Sequence, residues 1–202
     1  LMTADKKPYL IWLPVALVTA LLSLSIFYTY YNQEVINNNQ KIHQHAEEIR
    51  SNVSELLWGT IHGVDIGLRG YALIPEKRFL EPLVLALADK DSLFQMVETD
   101  LLGQNFPMAS FYQFRDSLDA YIALSMRMKD NVTDGQMNTF IKELSADQGY
   151  GLWIMYEKFS IAVDDFENAI KFQAAQRSEA AINNLYLVQV ALFLVLAPTM
   201  ML

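Results

Sequence analysis

The chain has no cysteine among its 202 residues. Disulfide staples, thiolate nucleophiles and cysteine-ligated metals are therefore excluded, and the absence suits a compartment that oxidises stray thiols. Histidine is nearly as scarce, with three copies. His43 and His45 are two apart and face different sides of a helix, while His62 lies several turns further on. His43 with Glu47 has ligand spacing, but two ligands are too few, so no metal site is expected. Neither Gly-x-Ser-x-Gly nor a glycine-rich phosphate loop occurs, so no catalytic nucleophile, nucleotide cradle or cofactor is expected. Glycine (8) and proline (6) are also few. They gather at a handful of turns, and no segment sustains alternation at period two, which argues against a β-sheet.

What the chain does have is apolar residues, 52% of the total against 19% charged, and they are unevenly spread. Residues 8–31, PYLIWLPVALVTALLSLSIFYTYY, are 24 positions without a charge. As a helix they extend about 36 Å, enough to cross a bilayer's hydrocarbon core. Tyr9 and Trp12 at one end, and Phe27, Tyr28, Tyr30 and Tyr31 at the other, stand where interfacial aromatics belong. A cleaved signal peptide would have a shorter apolar core followed by small residues. A second uncharged run, LYLVQVALFLVLAPTMML at residues 185–202, stops where the chain stops. The sequence is thus expected to be a fragment cut inside a second transmembrane helix.

Lys6 and Lys7 precede the first run, and an asparagine-rich stretch with only Glu34 charged follows it. The positive-inside rule then makes residues 1–7 cytoplasmic and residues 32–184 extracytoplasmic. With Asp5, Lys6 and Lys7 set aside, 22 acidic and 13 basic residues remain, a balance unsuited to nucleic acid.

Between the two runs, apolar residues recur at helical spacing. Val35, Ile42, Ile49 and Leu56 fall at sevens, interleaved with Ala46 and Val53, and the register continues through Gly63 and Gly70 beside Thr60 and Gly67. This predicts one straight helix to about Leu73, stopped because Pro75 forces Ile74 out of helical conformation. A second helix opens at Pro82 and runs to about Leu102. A third opens at Pro107 and runs to about Asp130. A fourth descends from Gln136, with Leu152, Phe159 and Phe166 in one row and Tyr156, Val163 and Ile170 in the other. The expected fold is all-α: an antiparallel four-helix bundle with two long outer and two short inner helices, flanked by two transmembrane helices.

Residues 65–82, DIGLRGYALIPEKRFLEP, carry more than this pattern. Arg69-Gly70-Tyr71, a short polar turn, then Phe79-Leu80 and Pro82, with Asp65 upstream, resemble the signature of the CHASE extracellular sensor domains of the third type. The resemblance covers about 20 residues and fades in the second half of the chain. It implies the input domain of a bacterial-type membrane receptor, foremost a two-component sensor histidine kinase. Chemoreceptors and nucleotide cyclases carry the same kind of domain. It further implies a parallel homodimer in the bacterial inner membrane, with residues 32–184 periplasmic or extracellular. It supplies neither a ligand nor catalytic residues. On its own terms the stretch reads as a corner at the membrane-distal tip, with Asp65 and Arg69 four apart on one helix face and able to pair.

Gly59, Gly63 and Gly67 are spaced by four and make one face nearly flat. Close packing against a bulky neighbour such as Trp153, a dimer contact and a small ligand cavity all fit that face. Counting equal rises from the tip brings Trp58, Gly59, Gly63, Arg115 and Trp153 towards one level of the bundle, the candidate ligand site if one exists.

Overall fold

The computed structural model describes residues 9–199, with side chains at 15, 16 and 18–194. The described residues contain no strand. Six helices follow in order: α1 (Tyr9–Glu55), α2 (His62–Leu73), α3 (Glu81–Gly103), α4 (Ala109–Thr133), α5 (Met137–Ser145) and α6 (Gln148–Thr199). A π-helical segment, Leu56–Ile61, joins α1 to α2, and a 3₁₀ turn, Lys77–Leu80, leads into α3. The chain divides into two compact units, Leu1–Gln44 with Ile170–Leu202, and His45–Ala169.

In the first unit, half-buried and buried positions of α1 recur at alternating threes and fours: Val18, Leu21, Ser25, Tyr28, Asn32, Val35, Asn39 and Ile42. That is a coiled-coil seam. On α6 the same role falls to Ala174 and Ala181, both buried. Asn32 and Asn39 hold seam positions seven apart, polar residues of the sort that fix helix register. Among the described residues no helix is long and apolar enough to cross a membrane. The two runs read as spans, residues 8–31 and 185–202, both reach into positions outside the described set.

The second unit is a helical bundle with four arms: the end of α1 continued by the π segment and α2, then α3, α4, and the start of α6 preceded by α5. Connections such as Gln104–Met108 are short and make neighbours antiparallel. One core cluster is aromatic: Phe94, Phe111, Phe114 and Phe159 meet at centroid separations of 5.4–5.8 Å, with Phe114 stacked on Phe159. Ile49 and Val53 from α1, and Leu56 from the π segment, close it. A second cluster gathers Val64, Leu68 and Tyr71 with Leu83, Ala86, Met128 and Phe140. Cross-arm ion pairs sit at the rim. Arg50 Nε meets Asp164 Oδ1 at 2.7 Å, and Lys90 Nζ meets Asp119 Oδ1 at 2.6 Å. Burial pulls the Lys90 pKa down, but Asp119 and Asp91 outweigh it and the net direction is up.

Three expectations need correction. The first arm is not one straight helix. A π turn takes one more residue than an α turn to close, so each later position is displaced on the helix face. The core row therefore passes from Leu56 and Leu57 to Val64 and Tyr71, with Gly63 and Gly70 only half-buried. The fourth arm is also broken, between α5 and α6. The break lies at Ala146 and Asp147, where Asp147 adopts a left-handed φ of 51°, and both Gly149 and Gly151 sit inside α6. Finally, α4 opens at Ala109 rather than Pro107 and lasts to Thr133.

Candidate functional site

The corner motif folds as a corner. Ile74 is extended (φ −136°, ψ 101°) ahead of Pro75, and the 3₁₀ turn brings Phe79 and Leu80 back onto the second core cluster. Tyr71 is buried, and its hydroxyl lies 3.2 Å from Thr133 Oγ1 on α4. A Cβ on Gly70 would stand 3.5 Å from the Phe79 ring, an ordinary contact. Pro82 lies in the first turn of α3, where its missing N–H costs nothing.

The glycine face meets α3. A Cβ on Gly63 would lie 2.9 Å from Ala86 Cβ and 3.1 Å from the Pro82 carbonyl oxygen. On Gly67 it would lie 2.7 Å from both Leu83 Cβ and Leu83 N. These two glycines let α3 settle directly on the α2 backbone. Gly59 differs, since the nearest group to its added Cβ would be the folded-back carboxylate of Glu55.

The remaining residues of the proposed level do not converge. Trp58 is 65% exposed and its ring stands 4.6 Å from that of His62. Arg115 belongs to the α3–α4 contact: Nη1 donates to Glu98 Oε2 at 3.1 Å, and the guanidinium lies over Tyr112 at 5.0 Å. The Tyr112 hydroxyl donates to Glu98 Oε1, and that bond, with burial, raises its pKa. Trp153 rests beside Tyr156, not on the glycines. Phe94 and Phe114 fill the interior at this height.

Space opens instead on the other side of α2. Ile61, His62, Asp65, Arg69, Tyr121, Asp147, Gly149, Tyr150 and Trp153 line an open groove of about 280 Å³ between α2, α4 and the start of α6. Of the five residues proposed for a ligand, it contains Trp153 alone. Asp65 Oδ1 organises the floor, accepting from Arg69 Nε at 2.8 Å and from the Tyr121 hydroxyl at 3.3 Å. Burial, then the Asp65 charge and hydrogen bond, push the Tyr121 pKa up to about 12. This phenol therefore remains a donor at any physiological pH. Gly149 approaches the Tyr121 ring closely, with 3.6 Å left for a Cβ. Arg69 also borders a second, apolar groove of about 340 Å³ under Ala72, Leu73, Met137, Phe140, Ile141 and Leu144.

A larger groove of about 410 Å³, on the α3 side, is lined by Glu55, Gly59, Thr60, Leu85, Ala86, Asp89, Ser92, Leu93 and Met96. It has neither a ring nor a cationic group. The α2–α4–α6 groove has rings, carboxylates and an ordered donor, and is the better-equipped recognition site. It was hidden from sequence reasoning because its walls come from three arms. Its one local signal was the i,i+4 spacing of Asp65 and Arg69.

The fold defines a class, an all-helical bundle. Comparison with protein-family models, curated proteins and solved structures found no match to this chain.

Proposed function

We propose that this chain is the extracytoplasmic sensory input domain of a transmembrane signal-transduction receptor, a two-component sensor histidine kinase foremost. The observation that carries the reading is the apolar surface of the first unit. Leu22, Leu24, Ile26, Phe27, Tyr30 and Tyr31 on α1, and Tyr186, Leu187, Phe193 and Leu194 on α6, are all exposed. Within this chain each helix buries only its seam, and lipid is the solvent that suits the remaining apolar sides. Both runs are free of charge over that stretch. The resemblance of residues 65–82 to the CHASE sensor domains of the third type supports the same reading. The groove between α2, α4 and α6 is the proposed input site.

The test is topological. A reporter inserted at Gly135, in the exposed α4–α5 turn, should be active only outside the cytoplasm when the chain is expressed in a bacterial cell. Cytoplasmic activity there would overturn the assignment. The proposed parallel homodimer has its own check. Ile49 and Leu56 are fully buried within one chain, so single cysteines on the outward side of residues 38–58 should crosslink in membranes, and those on the seam should not. Crosslinking nowhere would remove the dimer through α1.

A protein-binding ectodomain is the second reading. It is favoured by Trp58, Ile66 and Leu73, large apolar side chains left 65%, 61% and 84% exposed along the first arm. Activation of a fused histidine kinase output by a soluble stimulus would favour the sensor, and response only to a co-expressed protein would favour the alternative.

A further inference from the structure

We propose that the groove between α2, α4 and α6 binds a small organic cation, an ammonium compound held by aromatic rings and carboxylates. This names a ligand class for the input site proposed above and rests on that reading.

Three features of the groove converge. The first is its rings. Tyr121, Tyr150 and Trp153 line one cavity with His62, and Tyr150 and Trp153 remain 62% and 40% exposed. Aromatic faces attract cations through their quadrupole, and several rings around one space is the arrangement that recognises alkylated ammonium groups. The second is charge. Asp65 and Asp147 line the groove with a single arginine, and Arg69 is already engaged by Asp65 at 2.8 Å. Two carboxylates against one guanidinium in the lining favour a cation and disfavour an anion. The third is size. At about 280 Å³ the groove lies just below the usual ~300–1,000 Å³ of drug-sized sites, so its occupant is small.

A bare metal ion fits less well, because the described residues include no group of three or more His, Asp or Glu side chains able to hold one. Rings contribute nothing to such a site and account for much of this one. The Tyr121 hydroxyl, donating to Asp65, holds that carboxylate in place.

The experiment is calorimetric titration of the full 202-residue chain in lipid nanodiscs, with tetramethylammonium, choline and the neutral carbon isostere of choline, 3,3-dimethylbutan-1-ol. Both cations should bind saturably and the isostere at least about ten-fold more weakly, since shape is matched and only charge differs. Trp153→Leu should weaken choline roughly five- to thirty-fold, and Trp153→Phe should restore most of the loss. Asp147→Asn should weaken choline without changing helix content, which keeps the test valid if the Trp153 variants fold poorly. Equal binding of choline and its isostere, or saturable binding of neither cation, would overturn the proposal. So would tighter binding of glycine betaine than of choline, lost in Arg69→Gln, because the arginine would then be receiving a carboxylate. The titration reads no signalling output, so a failure here leaves the topological result untouched.

Discussion

The two sides of α2 have opposite fates. Towards α3, Gly63 and Gly67 remove side chains and the neighbouring backbone moves in to fill the space. Towards α6, Gly149 and Gly151 also remove side chains, but the nearest atoms at Gly149 are those of the Tyr121 ring, no closer than 3.6 Å, and Gly151 has nothing within 4 Å. Glycine alone therefore makes neither a contact nor a cavity. The outcome depends on whether the opposing element can approach. α3 is docked by the corner at residues 74–80 and is pressed onto α2. The start of α6 is set by the left-handed turn at Asp147, and the groove beside it stays open.

The sharpest way to test how glycine makes a contact is to put the same methyl group where backbone is pressed close and where a side chain is nearest. Gly67→Ala places a Cβ 2.7 Å from the Leu83 backbone nitrogen and Cβ, and backbone cannot swing aside as a side-chain tip can. Its gain in helix propensity, about 0.5–1 kcal/mol, is smaller than the overpacking cost of about 1–3 kcal/mol. A net loss of about 1–2 kcal/mol should appear in the thermal midpoint of the full chain in detergent. Gly59→Ala, whose nearest neighbour is the movable Glu55 side chain, should be close to neutral. Equal effects at the two positions would mean that α3 is not seated on the glycine face.

Next in size is the groove's phenol. Tyr121 has its pKa raised from 10.0 to about 12. A group whose folded pKa is raised contributes stability that is fully present below the unfolded value and is lost as pH rises through the folded one. Between about pH 10 and 12 the native chain should therefore lose stability through Tyr121, because the unfolded phenol ionises first. Two units correspond to about 2.7 kcal/mol, which partial exposure reduces to about 1–2 kcal/mol. Tyr121→Phe should flatten the alkaline arm of the stability–pH curve by that amount relative to wild type. An unchanged slope would show that the phenol is neither buried nor held by Asp65 as the groove requires.

The open side has a prediction of the opposite sign. Gly151 lies within α6 with nothing near its missing Cβ. Gly151→Ala should stabilise the chain by about 0.5–1 kcal/mol through helix propensity and a less flexible unfolded state. Destabilisation would mean that something packs against this turn.

These elements differ in how readable they were. The end of the first arm at Leu73 follows from Pro75, and the start of α3 from Pro82, because proline acts through its own covalent geometry. The rows Leu152–Phe159 and Tyr156–Val163 follow from helical periodicity, and all four residues are buried. The π turn left no such mark. Gly63, Gly67 and Gly70 continue the heptad spacing of α1 so smoothly that the one-residue displacement, which brings Val64 and Tyr71 inward, shows only in three dimensions. The left-handed Asp147 was equally hidden, since two glycines stand just beyond it and draw attention to themselves. The candidate level failed for a related reason: equal rise along four arms fixes height but not direction. Trp58 and Arg115 point away from the space that Trp153 enters.

The smallest expected effect on stability gives the clearest sign for the ligand. Arg69 and Asp65 form an i,i+4 pair whose guanidinium end is 60% exposed, so Arg69→Gln should cost no more than about 0.5 kcal/mol, and less at high salt. In the groove its effect is of another kind. Arg69 is the one arginine among the lining residues and competes with any bound ammonium for the Asp65 carboxylate. Removing it should strengthen choline binding roughly two- to five-fold, the scale of a partly screened repulsion between like charges. If the true ligand carried an anionic group, the same substitution would weaken binding. Titration of the Arg69→Gln chain with choline at two salt concentrations therefore separates the cases by sign, and a strengthening that disappears at high salt is the outcome the acidic aromatic groove requires.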